Sequence, residues 1–272
     1  QLDMFPPEVC AELRGYLDQA ARLADSDLIR KRIKLYSDGF RYTELYSGVY
    51  WGDKRMRTVT VSNAKQADQV RRALVSYAQA EQGLQRHFDE VINTDPLLKP
   101  CLPFGGSARS TFGEGLLPAI VRLADYYEQA GQPLQEPFCL SPELPADNPV
   151  AKMFVAYMTM RAHPETAQEK LPNPGFEDKS AGTTPQGPEW TSEGCPQGWG
   201  SWIRGGTKAE LRWVASPVHG GQRAVMLKGA EGAACYLMDV RGEPGAVYLC
   251  TVYARCRVSR PERVHLTIKW RD

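Results

Sequence analysis

Residues 63–91, NAKQADQVRRALVSYAQAEQGLQRHFDEV, read as one long amphipathic helix. Asn63 and Gln66 have the spacing of a capping box, which satisfies backbone N–H groups of a first helical turn. Behind them Ala67, Val70, Leu74, Tyr77, Leu84, Phe88 and Val91 recur at three- and four-residue steps. That is a single apolar stripe sustained over about seven turns, the mark of a helix buried on one face.

The same period extends on both sides. Upstream, Pro6 and Pro7 stand where a first helical turn tolerates them. Val9, Leu13, Tyr16, Ala20 and Leu23 give one stripe, and Leu28, Arg32, Leu35 or Tyr36, and Phe40 continue it past a break near Asp25-Ser26-Asp27. Residues 42–52, YTELYSGVYWG, are aromatic and poorly periodic, which suits a segment wrapped over another surface. Downstream, Leu116, Ala119 or Ile120, Leu123 and Tyr127 define a helix ending near Gly131. Val150, Met153 or Phe154, and Tyr157 define another, stopped by Pro164. Four or five such helices predict a compact helical domain over 1–166.

A chain of 272 residues fits two domains at roughly 100–200 residues each. Apolar residues at 42% and charged residues at 24% are ordinary globular composition, which excludes a collagen-like or wholly disordered chain. A formal net charge of +1 gives no support to a nucleic-acid groove or a polybasic membrane patch. No apolar run approaches the roughly 20 residues that span a bilayer.

Composition changes after Leu171. Five of the six Trp and 14 of the 24 Gly lie beyond it. A Pro- and Gly-rich linker and opening turn at 167–190 leads into alternating runs over 172–272. Leu211 with Trp213, Val225 with Leu227, and Tyr236 with Met238 and Val240 each share a face. The longest run, VYLCTVYARCRV at 247–258, predicts a strand, apolar on one side and ending in polar and aromatic groups on the other. Gly- and Pro-containing turns separate these runs, as in an antiparallel β-sandwich.

Four motifs give this half a family likeness: NPGFE at 173–177, GWGSWIRGG at 198–206, GGQRAVMLKG at 220–229 and PGAVYLCTVYAR at 244–255. In order and spacing they resemble a carbohydrate-binding module of the galactose-binding-like jelly-roll type, over about 100 residues. The resemblance implies a β-sandwich, often with a structural Ca²⁺, for which Glu177 is the matching ligand position. It also implies further closing strands after VHLTIKW, so the expectation is either an excerpt of a longer chain or a partner that supplies strands. Residues 6–46, from PPEVC to TELY, are similar to the helical tail behind the (β/α)₈ barrel of large glycoside hydrolases of the α-glucuronidase-like kind. In those proteins catalysis belongs to the barrel, so no catalytic carboxylate carries over to these positions.

The fold class expected is therefore α+β and multidomain: an all-α domain followed by an incomplete jelly roll. For sugar, the candidate residues are Trp202, Arg204 and Trp213 as one group, and Tyr253 and Arg255 with His265 as another. The reason is chemical: an aromatic face suits the C–H side of a pyranose, and oriented polar groups suit its hydroxyls. Trp199, Trp213 and Trp270 also fall in phase with apolar neighbours, as core residues do. His87 and His163 lack metal-ligand grouping, and Asp38, Asp89 and Glu90 read as solvated charges. The glycine-rich stretch FGGSARSTFGEG at 104–115 matches neither phosphate-binding pattern and reads as a loop packed on an adjoining domain.

Seven Cys show no CxxC or zinc spacing, and Cys250 and Cys256 would lie about 20 Å apart on a straight strand, too far to bridge. Most are expected as small buried hydrophobes. No G-x-S-x-G, HExxH or distinguishable carboxylate pair points to catalysis. The functional expectation is the non-catalytic C-terminal portion of a secreted (extracellular or periplasmic) carbohydrate-active protein. Its partners would be a polysaccharide or oligosaccharide and a missing catalytic domain. A structural or assembly protein is the alternative.

Overall fold

The computed structural model describes residues 2–100, 113–131, 136–179, 195–206 and 208–257. The chain divides into two compact units, Gln1–Thr166 and Ala167–Asp272. The first is helical and the second carries short antiparallel strands, an α+β architecture.

In the helical unit, α1 (Pro7–Leu23) and α2 (Asp27–Thr58) are separated by the break at Ala24–Ser26, where Ser26 Oγ accepts from Ile29 N at 3.4 Å. Helix α1 differs from its expected stripe. Cys10 is its buried residue, with Leu13, Leu17 and Ala20 half-buried, while Tyr16 and Leu23 point to solvent. Helix α2 runs unbroken through residues 42–52. Tyr42, Leu45, Val49, Gly52 and Met56 are buried along one face at three- and four-residue steps. The other aromatics of that stretch serve a second neighbour, the N-terminal segment: Trp51 Nε1 donates to Phe5 O at 3.2 Å and Tyr50 Oη to Asp3 at 2.7 Å. Aromatic residues on two faces hide the helical period, and the segment is helical because both faces are covered.

Helix α3 (Ala64–His87) starts as its capping residues dictate. Asn63 Oδ1 accepts from Gln66 N at 3.0 Å, and Gln66 Oε1 accepts from Ser62 N at 2.8 Å, one residue before the usual return partner. It packs closely on α2: a Cβ added at Gly48 would lie 3.2 Å from Ala80 Cβ, and one at Gly52 3.3 Å from Tyr77 Cβ. A π-turn, Phe88–Ile92, ends it. Helix α4 (Leu116–Gln129) buries Leu116, Ala119, Ile120, Leu123 and Ala124. Helix α5 (Pro149–Ala162) is capped by the buried Asn148, whose Oδ1 accepts from Val150 N and Ala151 N at 3.0 and 3.2 Å. Among the described residues no helix is long and apolar enough to cross a membrane.

Just past α5, His163 Nε2 donates to Glu136 Oε1 at 2.6 Å, with Glu165 Oε1 3.5 Å from Nδ1. The Glu136 hydrogen bond, seconded by its charge, holds the imidazolium above the usual histidine range. Because the folded value is raised, this pairing stabilises fully below the unfolded value of about 6.5 and fades as pH rises through the folded one. An NMR titration should place the His163 midpoint above that reference, and Glu136→Gln should bring it down. An unchanged midpoint in the variant would show that the pair does not form in solution.

Among the described residues the second unit holds four strands: β1 (Gly200–Ile203), β2 (Glu210–Val214), β3 (Ala224–Lys228) and β4 (Ala234–Leu237). They form two antiparallel ladders, β1 with β4 (Trp202 opposite Cys235) and β2 with β3 (Trp213 opposite Val225). One small core joins them: Cys195, Leu211 and Trp213, packed by Phe176, Ile203, Val225 and Tyr236. Residues 247–257 form no strand, contrary to their alternation. Tyr248 and Cys250 are half-buried, but no described segment offers the hydrogen-bonded partner a ladder needs. The following run through Trp270 lies outside the described residues.

The cysteines also depart from expectation. Of the six described, Cys10 and Cys195 are buried, Cys250 is intermediate, and Cys139, Cys235 and Cys256 are exposed. Cys101 lies outside the described residues. Small size permits burial, but position relative to the two cores decides it.

Candidate functional site

The opening motif of the β unit is a structural knot. Asn173, buried, donates from Nδ2 to Asp178 O and Gln197 O at 3.1 and 3.2 Å and accepts from Asp178 N. Its carbonyl receives Trp199 Nε1 at 2.9 Å, and the Phe176 carbonyl receives Trp213 Nε1 at 2.7 Å. Trp199 packs on Phe176 in a tilted pair, ring centroids 4.6 Å apart and planes 46° from each other. Two of the tryptophans are thus consumed in holding this turn.

Trp213 is only 4% exposed, so it leaves the set of sugar candidates: its ring is core and its one donor is spent. Trp202 is 49% exposed. It shares the outward side of the β1–β4 ladder with its cross-strand partner Cys235, also exposed, and Arg204 follows in the exposed turn. Tyr253 is 76% exposed and Arg255 is exposed, but they do not share a strand face, because 247–257 is not a strand. His265 lies outside the described residues, so its place beside Tyr253 is not described.

Tyr253 has a partner that the sequence did not reveal. The His219 imidazole lies parallel to its ring, with centroids 3.6 Å apart and planes 7° from each other. His219 belongs to the nine-residue connection 215–223 between β2 and β3. The far end of that connection is fixed twice. Glu177 accepts from Gln222 N at 3.0 Å on each oxygen and from Arg223 N at 3.3 Å on Oε1. The Arg223 guanidinium lies 4.4 Å above the Trp213 ring. Gly221 has φ +69°, and a Cβ there would stand 2.0 Å from Glu177 Oε1, so only glycine lets the carboxylate reach these amides.

The chain finds no match among protein-family models, curated proteins or solved structures. What the residues do must be read from the site itself.

Calcium takes six to eight oxygen ligands. Among the described residues the groups that Glu177 hydrogen-bonds are the N–H donors of Gln222 and Arg223, which do not themselves ligate a cation. Among the described residues no group of three or more His, Cys, Asp or Glu is placed to hold a metal ion.

The helical unit has its own buried charge, also not singled out from the sequence. Asp53 on α2 is enclosed, and its Oδ1 accepts from Gly113 N at 3.2 Å and Gly115 N at 2.8 Å. Its Oδ2 receives Arg57 Nε at 2.8 Å, and Arg57 also meets Glu114 at 2.7 Å. Gly115 is the N-cap of α4 and has no side chain, so a carboxylate from another helix does the capping. These groups answer one another completely and leave the cluster a structural role. The rest of the glycine-rich stretch, 104–112, lies outside the described residues.

Proposed function

We propose that this chain is a non-catalytic portion of an extracellular carbohydrate-active protein of the glycoside hydrolase kind. Its β unit is a jelly-roll-type module that binds glycan, and its helical unit is a structural companion. The observation that supports this reading is the exposed aromatic surface of the β unit, where Tyr253 stands three-quarters in solvent with Arg255 close by in sequence. A large aromatic left in water with polar groups nearby is a stable arrangement for a sugar face and an unfavourable one for a simple core. The test is an oligosaccharide array probed with the whole chain, alongside hydrolysis assays on the same glycans. Binding at micromolar to millimolar strength without turnover is the expected result. Turnover, or no binding across the array, would overturn the proposal.

A second reading, assembly through protein contacts, is favoured by a different observation. On α1 and α2 the side chains of Leu23 (75% exposed), Leu28, Ile29 and Tyr36 (71% exposed) stand in solvent. It predicts that replacing Leu28 and Tyr36 by Lys changes sedimentation behaviour while glycan binding stays intact.

A further inference from the structure

We infer that the sugar-binding surface is the shelf made by Tyr253 and His219, and that Glu177 is a positioning residue for it. The inference rests on the glycan-binding reading above and names the site within the β unit. Its ligand class is a neutral pyranose at a chain end or along an oligosaccharide.

Three observations carry it. The two rings are parallel and in contact, yet both residues are exposed, so one face of each is spent on the stack and the outer faces remain open. A pyranose presents a flat C–H face of matching size, and the ring edges, with the Tyr253 hydroxyl and the imidazole nitrogens, present donors and acceptors to its hydroxyls. Second, the His219 side of the shelf is ordered in advance. The segment carrying His219 runs into Gln222 and Arg223, which Glu177 holds by their amides, and Arg223 is seated on the buried Trp213. A loop already fixed loses little freedom when ligand arrives. Third, the one carboxylate in this cluster, Glu177, has both oxygens engaged by backbone amides. Its work is holding the loop, and the contacts left to a ligand are aromatic faces, their polar edges and the flanking arginines.

The assignment separates two roles for Glu177. A clamp needs an acceptor oxygen, which Gln retains; a metal ligand needs the charge, which Gln lacks. The experiment is calorimetric titration of the whole chain with xylo-, cello- and galacto-oligosaccharides. Wild type is compared with Tyr253→Ala, His219→Ala, Trp202→Ala, Glu177→Gln and Glu177→Ala. Loss of a stacking ring should weaken binding about tenfold or more for Tyr253→Ala and His219→Ala, both solvent-exposed positions whose thermal melts should match wild type. Trp202→Ala should bind as wild type does. Glu177→Gln should stay near wild type, while Glu177→Ala weakens binding and speeds amide hydrogen exchange at Gln222 and Arg223. Wild-type binding that survives Tyr253→Ala overturns the shelf and leaves the glycan reading standing. Equal losses in Glu177→Gln and Glu177→Ala, abolished by excess calcium, overturn the clamp. Failure of the wild type on every probe overturns the glycan reading, and the shelf falls with it.

Discussion

A chain carrying Asp53→Ala should lose helical signal on heating on the order of 10 °C below the wild type. Each enclosed backbone donor left without its acceptor typically costs about 1–3 kcal/mol. Here the abandoned groups are two such donors, the amides of Gly113 and Gly115, around an Asp53 side chain only 3% exposed, while the half-exposed Arg57 keeps Glu114. For a unit of this size each kcal/mol moves the midpoint by about 2–4 °C. Asp53→Asn keeps an acceptor for the amides and gives up the charge on Arg57, so its loss should be about half as large or less. Circular dichroism at 222 nm reports the helical unit, since the other unit has no described α-helix. An Asp53→Ala midpoint within 2 °C of wild type would mean the carboxylate does not hold α4 in place.

The second large effect belongs to Trp213→Ala, which should unfold the β unit and spare the helical one. Truncating a buried aromatic costs about 3–5 kcal/mol. That is comparable to the whole stability of a domain of about 100 residues. Among the described residues the core there consists of three buried residues and four packed neighbours, and the indole is the largest of the buried side chains. The Phe176 carbonyl also loses its donor, and Arg223 loses the ring it covers. The near-UV dichroism contributed by Trp199 should collapse at room temperature, with that of Trp51 on α2 and the 222 nm signal largely kept. Trp213→Phe, which restores a ring without the N–H, should fold and melt early. Were Trp213 a sugar platform instead, the Ala variant would fold normally and lose only affinity.

The helical unit was the more legible half, for local reasons. Asn63 and Gln66 announce α3, Pro164 marks the stop of α5, and the acidic break at Asp25–Asp27 separates α1 from α2. Each depends on neighbours within a turn, which is the range over which a sequence pattern acts directly. Helix α2 shows where that range ends. Its true stripe, Tyr42, Leu45, Val49, Gly52 and Met56, has helical spacing, but Tyr50 and Trp51 obscure it because the N-terminal segment lies against them.

By itself the sequence determined where α3 begins, where α1 and α2 part and where α5 stops, where the composition turns from helical to strand-rich, and that Leu211 and Trp213 share a face. These follow from capping, backbone restriction and side-chain period, all short-range. Only the tertiary structure decided which tryptophan is core, that Asp53 caps a helix some sixty residues away, and that Glu177 faces amides. It also decided that His219 lies on Tyr253, and that the alternation at 247–257 has no described strand to pair with. A hydrogen-bonded ladder, a buried charge and a ring stack each need a partner brought from far along the chain, and no spacing within one segment says which partner arrives.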